Sequence, residues 1–238
     1  MSALVVAEVF GPTLQGEGPN AGRRAAFVRL GGCNLHCVWC DTPYTWDARR
    51  YDLRAELRDE DVAAIIACVE AADPYLVVVT GGEPLLHQSR PGWAELLAGL
   101  GSHLVEIETN GTRQPSTDTL ARPGVRFNVS PKLAHSGDPE FLRIAPAVLA
   151  RFSQLAYVGR AVLKFVVRPA HLAADVAEVD ELVARHDLPA SAVWLMPEAT
   201  TGPQVAASMG PVMQAAIDHG YSATSRLHVL AWGTERGR

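Results

Sequence analysis

The chain has 238 residues, 48% of them hydrophobic and 20% charged, with a formal net charge of −5. A chain this long and apolar buries a sizeable core, which excludes an intrinsically disordered protein. The acidic balance argues against non-specific nucleic-acid binding, and no apolar run reaches the roughly 18 residues of a membrane-spanning helix.

The start, Met1 to Glu8, lacks the basic region of a secretory signal, so the expected compartment is the reducing cytoplasm. Ala7 to Leu14 reads as a short extended piece. It runs into the turn Gly16-Glu17-Gly18-Pro19, where glycine lets backbone approach a ligand closely. Ala25 to Leu30 reads as a strand. Its lone charge, Arg29, is either a solvent-facing arginine or a guanidinium fork for a carboxylate.

Three of the four cysteines then fall within eight residues, spaced Cys33-x3-Cys37-x2-Cys40. Thiols on so short a loop converge, which suits a metal or an iron–sulfur cluster. Three thiolates leave one iron of a four-iron cubane open to another ligand. The charged segment Ala48 to Asp61 reads as solvated surface, with Asp59 or Asp61 capping a helix that ends near Ala72. Cys68 lies in that helix and reads as a small buried hydrophobe. The competing reading makes Cys68 or His36 the fourth ligand of a structural zinc.

Tyr75 to Val79 is a short apolar run that fits a buried parallel strand. It opens into Thr80-Gly81-Gly82-Glu83-Pro84, followed by a helix over Pro91 to Leu100. Strands follow at Leu104 to Gly111, Val125 to Val129, Ala161 to Val167 and Ala192 to Met196. Helices are expected at Pro139 to Ala156, Leu172 to Arg185 and Pro203 to His219, and the tail Leu227 to Trp232 looks extended. Alternating strands and helices predict an α/β fold with a parallel sheet and crossover helices. Six core strands are too few for a closed eight-stranded barrel. The expected fold is an open partial (β/α)6 barrel, one domain over residues 1–238. Ligands in such folds bind at the carboxyl ends of strands. Cys33 to Thr42, Thr80 to Glu83, Glu108 to Asn110, Ser130 to Lys132 and Glu198 all collect there.

The cysteine triplet, with Trp39 just before its last member, resembles the radical S-adenosylmethionine superfamily. The flanks Leu14-Gln15-Gly16-Glu17-Gly18, Arg29-Leu30-Gly31-Gly32 and Cys40-Asp41-Thr42 narrow this to a resemblance to the 7-carboxy-7-deazaguanine synthase family, over most of the chain. The resemblance implies a 4Fe-4S cluster on Cys33, Cys37 and Cys40, with S-adenosylmethionine on the open iron. It implies that Trp39, Asp41, Gly82, Glu83, Asn110, Ser130, Pro131 and Lys132 line the cofactor. It implies that Leu14, Gln15, Gly16, Glu17, Arg29 and Thr80 hold the substrate, 6-carboxy-5,6,7,8-tetrahydropterin, and that Thr42 contacts Mg²⁺. Glu17 would accept hydrogen bonds from the aminopyrimidinone edge, and Arg29 would balance the carboxylate.

In the implied reaction, a reduced cluster cleaves S-adenosylmethionine. The resulting radical takes hydrogen from ring carbon 6, and the ring contracts with loss of ammonia in queuosine-type 7-deazapurine biosynthesis. No side chain has an implied catalytic role beyond cluster and cofactor. The implied partners are a flavodoxin- or ferredoxin-type electron donor and a second copy of the chain, with no nucleic acid and no membrane. His228 and the carboxylate of Arg238 receive no role. The three-residue gap between the first two cysteines differs from relatives with a long insert there.

Overall fold

Contiguous apolar runs become the buried strands. In the computed structural model, which describes residues 2–238, the strands are β1 (Ala3–Leu14), β2 (Arg24–Leu30), β3 (Arg58–Asp61), β4 (Leu76–Gly81), β5 (Leu104–Thr109), β6 (Val125–Val129), β7 (Ala161–Val167), β8 (Val193–Pro197) and β9 (Ser222–Ala223). The helices are α1 (Leu53–Glu56), α2 (Val62–Ala72), α3 (Pro91–Gly99), α4 (Thr117–Ala121), α5 (Glu140–Arg143), α6 (Pro146–Tyr157), α7 (Leu172–Arg185), α8 (Gly202–His219) and α9 (Leu227–Trp232).

All nine strands form one sheet in the order β3-β1-β2-β4-β5-β6-β7-β8-β9. The pairs from β2 to β9 are parallel. β1 is antiparallel to both of its neighbours. β3 and β9 are the two ends of the order and do not pair with each other, so the barrel is open, as expected. The six predicted core strands are β2 and β4 to β8.

Successive side chains on a strand alternate faces. One face, with Val77, Val79, Val105, Ile107, Phe127, Val129, Leu163 and Phe165, packs against helices in the main core. There the Phe127 and Phe152 rings meet edge-on, 5.3 Å apart. The alternate positions face the interior of the curved sheet. Ala25, Phe27, Leu76 and Val78 make a small apolar floor. Above them the same alternation brings Arg29, Thr80, Glu108, Asn128 and Lys164 to one cavity.

Several local expectations differ from the structure. Arg58–Asp61 is not plain solvated surface: it pairs with Ala3–Val6 as an edge strand, where charge protects an open edge. Asp61 does cap α2, accepting from Ala63 N at 3.0 Å. Cys68 is exposed rather than buried, because the buried stripe of α2 runs Val62, Ile65, Val69, Ala72 and misses it. The helix expected over 139–156 is two helices, α5 and α6. Pro146 lacks an N–H and holds Ala145 in an extended conformation. The tail is helical, not extended. As α9 it buries Val229 against Ala199 and Val205, and Leu227 N donates to Gly16 O at 3.0 Å. Among the described residues, no helix is long and apolar enough to cross a membrane.

Candidate active site

A cavity of about 480 Å³ opens at the carboxyl ends of the parallel strands, within the usual range for small-molecule sites. Of the residues expected to bind ligands, Leu14, Gln15, Gly16, Glu17, Arg29, Cys33, Cys37, Trp39, Cys40, Asp41, Thr42, Thr80, Gly82, Asn110, Ser130 and Lys132 all line it. Glu83 and Pro131 do not.

The cysteine loop is held by backbone. Gly31 N donates to Val5 O at 2.9 Å, Gly32 N to Thr45 O at 2.7 Å, and Glu83 N to Gly32 O at 2.8 Å. His87 Nε2 lies 2.8 Å from Gly31 O. Burial pushes the Cys33 thiol up to about 11 and that of Cys37 to about 12, so loss of these protons must be coupled to metal coordination. No three His, Cys, Asp or Glu side chains among the described residues converge tightly enough for a single metal ion. His36 is exposed, and Cys68 sits on the far face of α2. Cys33, Cys37 and Cys40 line one cavity, a donor set that fits a cubane in which each thiolate takes its own iron.

Beside the thiols, Trp39 is held between Lys132, whose Nζ lies 5.3 Å from the ring centre, and His135, stacked at 5.5 Å. Its Nε1 is buried without a partner. Lys132 Nζ donates to Ser130 Oγ at 2.9 Å. Glu83 is the N-cap of the turn Pro84–His87. Its carboxylate is fully buried and accepts from Leu85 N at 3.0 Å, Thr109 Oγ1 at 2.8 Å and Asn110 N at 2.7 Å. It pins the end of β5 to the glycine turn after β4, and burial raises its pKa.

The other end of the cavity is a charge network. Glu17 accepts from Arg226 Nε at 3.0 Å and pairs with Lys164 through its second oxygen. Burial opposes ionisation of Glu17, but the charges of Lys164, Arg226 and His228 outweigh it and hold the carboxyl well below its usual range. Arg226 also bonds Asp41. Gln15 Nε2 donates to Glu106 at 2.5 Å and to Glu108 at 3.1 Å, and Asn20 Nδ2 donates to Glu106 at 2.6 Å. Burial, then the neighbouring Glu108, pushes Glu106 up to about 7. Arg29 donates through Nε to Glu8 at 3.0 Å. Its two Nη atoms make no protein hydrogen bond among the described residues, so part of the fork remains for a ligand. His228 and Arg238, which had no expected role, also line the cavity.

Lys164, Arg226, Glu106 and Asn128 were not foreseen, whereas Glu108, expected at the strand ends, does line the cavity. Lys164 carried a signal: it is the one charge inside the apolar run Ala161 to Val167. Arg226 carried none, since it precedes a helix in a polar stretch.

An open parallel sheet with three cysteines at the mouth after its first parallel strand defines a radical S-adenosylmethionine protein. Residues 27–151 match the Radical SAM superfamily. The relatives are more specific. A 7-carboxy-7-deazaguanine synthase of Pyrobaculum aerophilum is 40% identical over 237 residues, 98% of this chain and 96% of its own length. One from Halobacterium salinarum is 37% identical over 251 aligned positions, covering 97% and 91%. The crystal structure of QueE from Escherichia coli superimposes with a TM-score of 0.67 at 25% identity, covering 93% of each chain. The chain belongs to the 7-carboxy-7-deazaguanine synthase family.

Proposed function

We propose that this chain converts 6-carboxy-5,6,7,8-tetrahydropterin to 7-carboxy-7-deazaguanine with loss of ammonia, as a carbon–nitrogen lyase of 7-deazapurine biosynthesis. One observation carries the reading: the three thiols and the turn Gln15 to Glu17, with Arg29, line a single cavity.

Cys33, Cys37 and Cys40 would hold the 4Fe-4S cluster. Trp39, Gly82, Asn110, Ser130 and Lys132 would enclose S-adenosylmethionine, with Asp41 at the rim. When bound, cluster and S-adenosylmethionine supply one-electron chemistry at carbon, which no side chain can perform. The chain's own part is positioning, electrostatics and water exclusion. Glu17, kept ionised by two cations, accepts N–H groups from the aminopyrimidinone edge, with Gln15 beside it. The free Nη groups of Arg29 receive the carboxylate. Thr80 and Leu14 flank the ring. The Thr42 hydroxyl reaches the same cavity and would join the substrate carboxylate on Mg²⁺, a cation that favours oxygen ligands and few protein contacts. Val38 and His36 on the cluster loop are exposed, which leaves an approach for a small flavodoxin- or ferredoxin-type donor. A homodimer is the assembly that the family resemblance implies.

The test is an anaerobic assay of the reconstituted protein with dithionite, S-adenosylmethionine, Mg²⁺ and the carboxytetrahydropterin, with products read by mass. The expected product is 7-carboxy-7-deazaguanine, lost in Cys37→Ala. Release of 5′-deoxyadenosine without it would retain the radical class and reject the substrate.

A further inference from the structure

The three thiols do not share one environment. Cys40 Sγ receives a hydrogen bond from the indole Nε1 of Trp46 at 3.3 Å, with the Thr42 hydroxyl at 3.8 Å. Cys33 Sγ receives the backbone N–H of Leu35 at 3.4 Å. Cys37 Sγ instead donates to a carboxylate, Asp138 Oδ2 at 3.8 Å; as an iron-bound thiolate it would have no proton to give, and the carboxylate would then face it unbridged.

Both outer partners are fixed. Trp46 follows a single turn, Pro43–Thr45, that is tied to the cysteine loop by the Gly32 N to Thr45 O bond. Its ring meets His36 edge-on at 5.1 Å. Asp138 is buried, and its oxygens accept the His36 N–H at 2.9 and 3.2 Å. Val38 N bonds Ser136 O in the same loop at 2.9 Å. Asp138 therefore cannot swing away from Cys37 without releasing the cluster loop.

Once the sulfurs are bound to iron they carry negative charge. An N–H aimed at such a sulfur stabilises it more as the cluster gains an electron, and a fixed carboxylate beside it does the reverse. We propose that Trp46 and Asp138 are positioning residues that set the cluster's reduction potential from opposite sides, Trp46 raising it through Cys40 and Asp138 lowering it beside Cys37. This rests on the radical S-adenosylmethionine reading, but its test does not use turnover.

The experiment is an EPR-monitored redox titration, without S-adenosylmethionine, of reconstituted wild type, Trp46→Phe and Asp138→Asn, each with iron and sulfide counted. Phenylalanine keeps an aromatic ring beside His36, and asparagine keeps an acceptor for the His36 N–H. The expected result is full loading in all three, a midpoint moved negative in Trp46→Phe and positive in Asp138→Asn, and an intermediate value in the double variant. Water entering where the indole was would move Trp46→Phe the other way, so a positive shift overturns the role of Trp46. Unmoved midpoints in loaded variants overturn the whole proposal. Loss of the cluster from Asp138→Asn would make Asp138 an anchor of the loop and overturn its tuning role. Wild type without a cluster would reject the cluster reading itself.

Discussion

Arg226 Nε donates to Glu17 Oε1 at 3.0 Å across 209 positions of sequence. The same guanidinium bonds Asp41 and donates to Ala199 O at 2.8 Å. One side chain thus closes the substrate end onto the loop that follows the cysteines. Arg226→Met leaves Glu17 with Lys164 and, at 3.9 Å, His228 Nε2. Removing the sole partner of a buried charge costs about 3–5 kcal/mol; with Lys164 still paired to Glu17 the loss falls below that, and Asp41, with its side chain 52% exposed, adds little to it. A lower thermal midpoint is expected. Its pH dependence has a sign: Glu17 titrates lower folded than unfolded. Its contribution is therefore present above the unfolded carboxylate range and is lost as pH falls through the folded value. The gap between Arg226→Met and wild type should narrow in acid, as read from melts across pH.

Glu106 has the opposite sign. Its folded value is raised to about 7 from 4.5, so between these the folded state holds a proton that the unfolded chain has released. Stability should fall as pH rises through that window, with a cost of a few kcal/mol complete above it. Glu106→Gln should abolish that slope in denaturant titrations at pH 5, 6, 7 and 8. Its absolute stability gains less, because the amide N–H₂ confronts one of the donors from Gln15 and Asn20.

Gly82 has no room for a side chain. An added Cβ would lie 2.1 Å from Gly32 O and 2.9 Å from Cys33 Cβ. The first obstacle is backbone and cannot rotate aside, so the cysteine loop must move. Gly82→Ala should cost about 1–3 kcal/mol and lower the iron bound per chain after reconstitution. Full iron content with an unchanged melt would contradict this geometry.

Cys68 is exposed, and its sulfur lies 4.0 Å from Val9 O, away from the cavity. Cys68→Ser should bind as much iron and sulfide as wild type, whereas Cys33→Ser, Cys37→Ser and Cys40→Ser each bind less. In the loaded protein an alkylating reagent should label one thiol per chain. A loss of iron in Cys68→Ser would restore it as a ligand.

The parallel strands were legible because Val77-Val78-Val79 and Phe165-Val166-Val167 bury both faces and need no long-range information. The thiol loop was legible because its ligands are neighbours in sequence. What stayed hidden depends on distant packing. Leu227 to Trp232 is rich in residues that suit a strand, yet α9 wins because only its spacing seats Val229 on Ala199 and Val205. Cys68 missed the buried stripe of α2 by one position. That Glu83 also accepts from Thr109 and Asn110, tying two strand ends together, could not be seen from its motif. Arg226 acquires meaning only when the far end of the chain folds over Glu17.

That last contact sets an order of events during synthesis. Cys33, Cys37 and Cys40 leave the ribosome long before Arg226 is made. At 5–20 residues per second the interval is about 10–40 s. Throughout it the thiol loop exists without the residue that closes its cavity, open to dioxygen and to any thiophilic ion. A cluster delivered before Arg226 is made would meet a pocket that still lacks the contacts of Arg226 with Glu17 and Asp41.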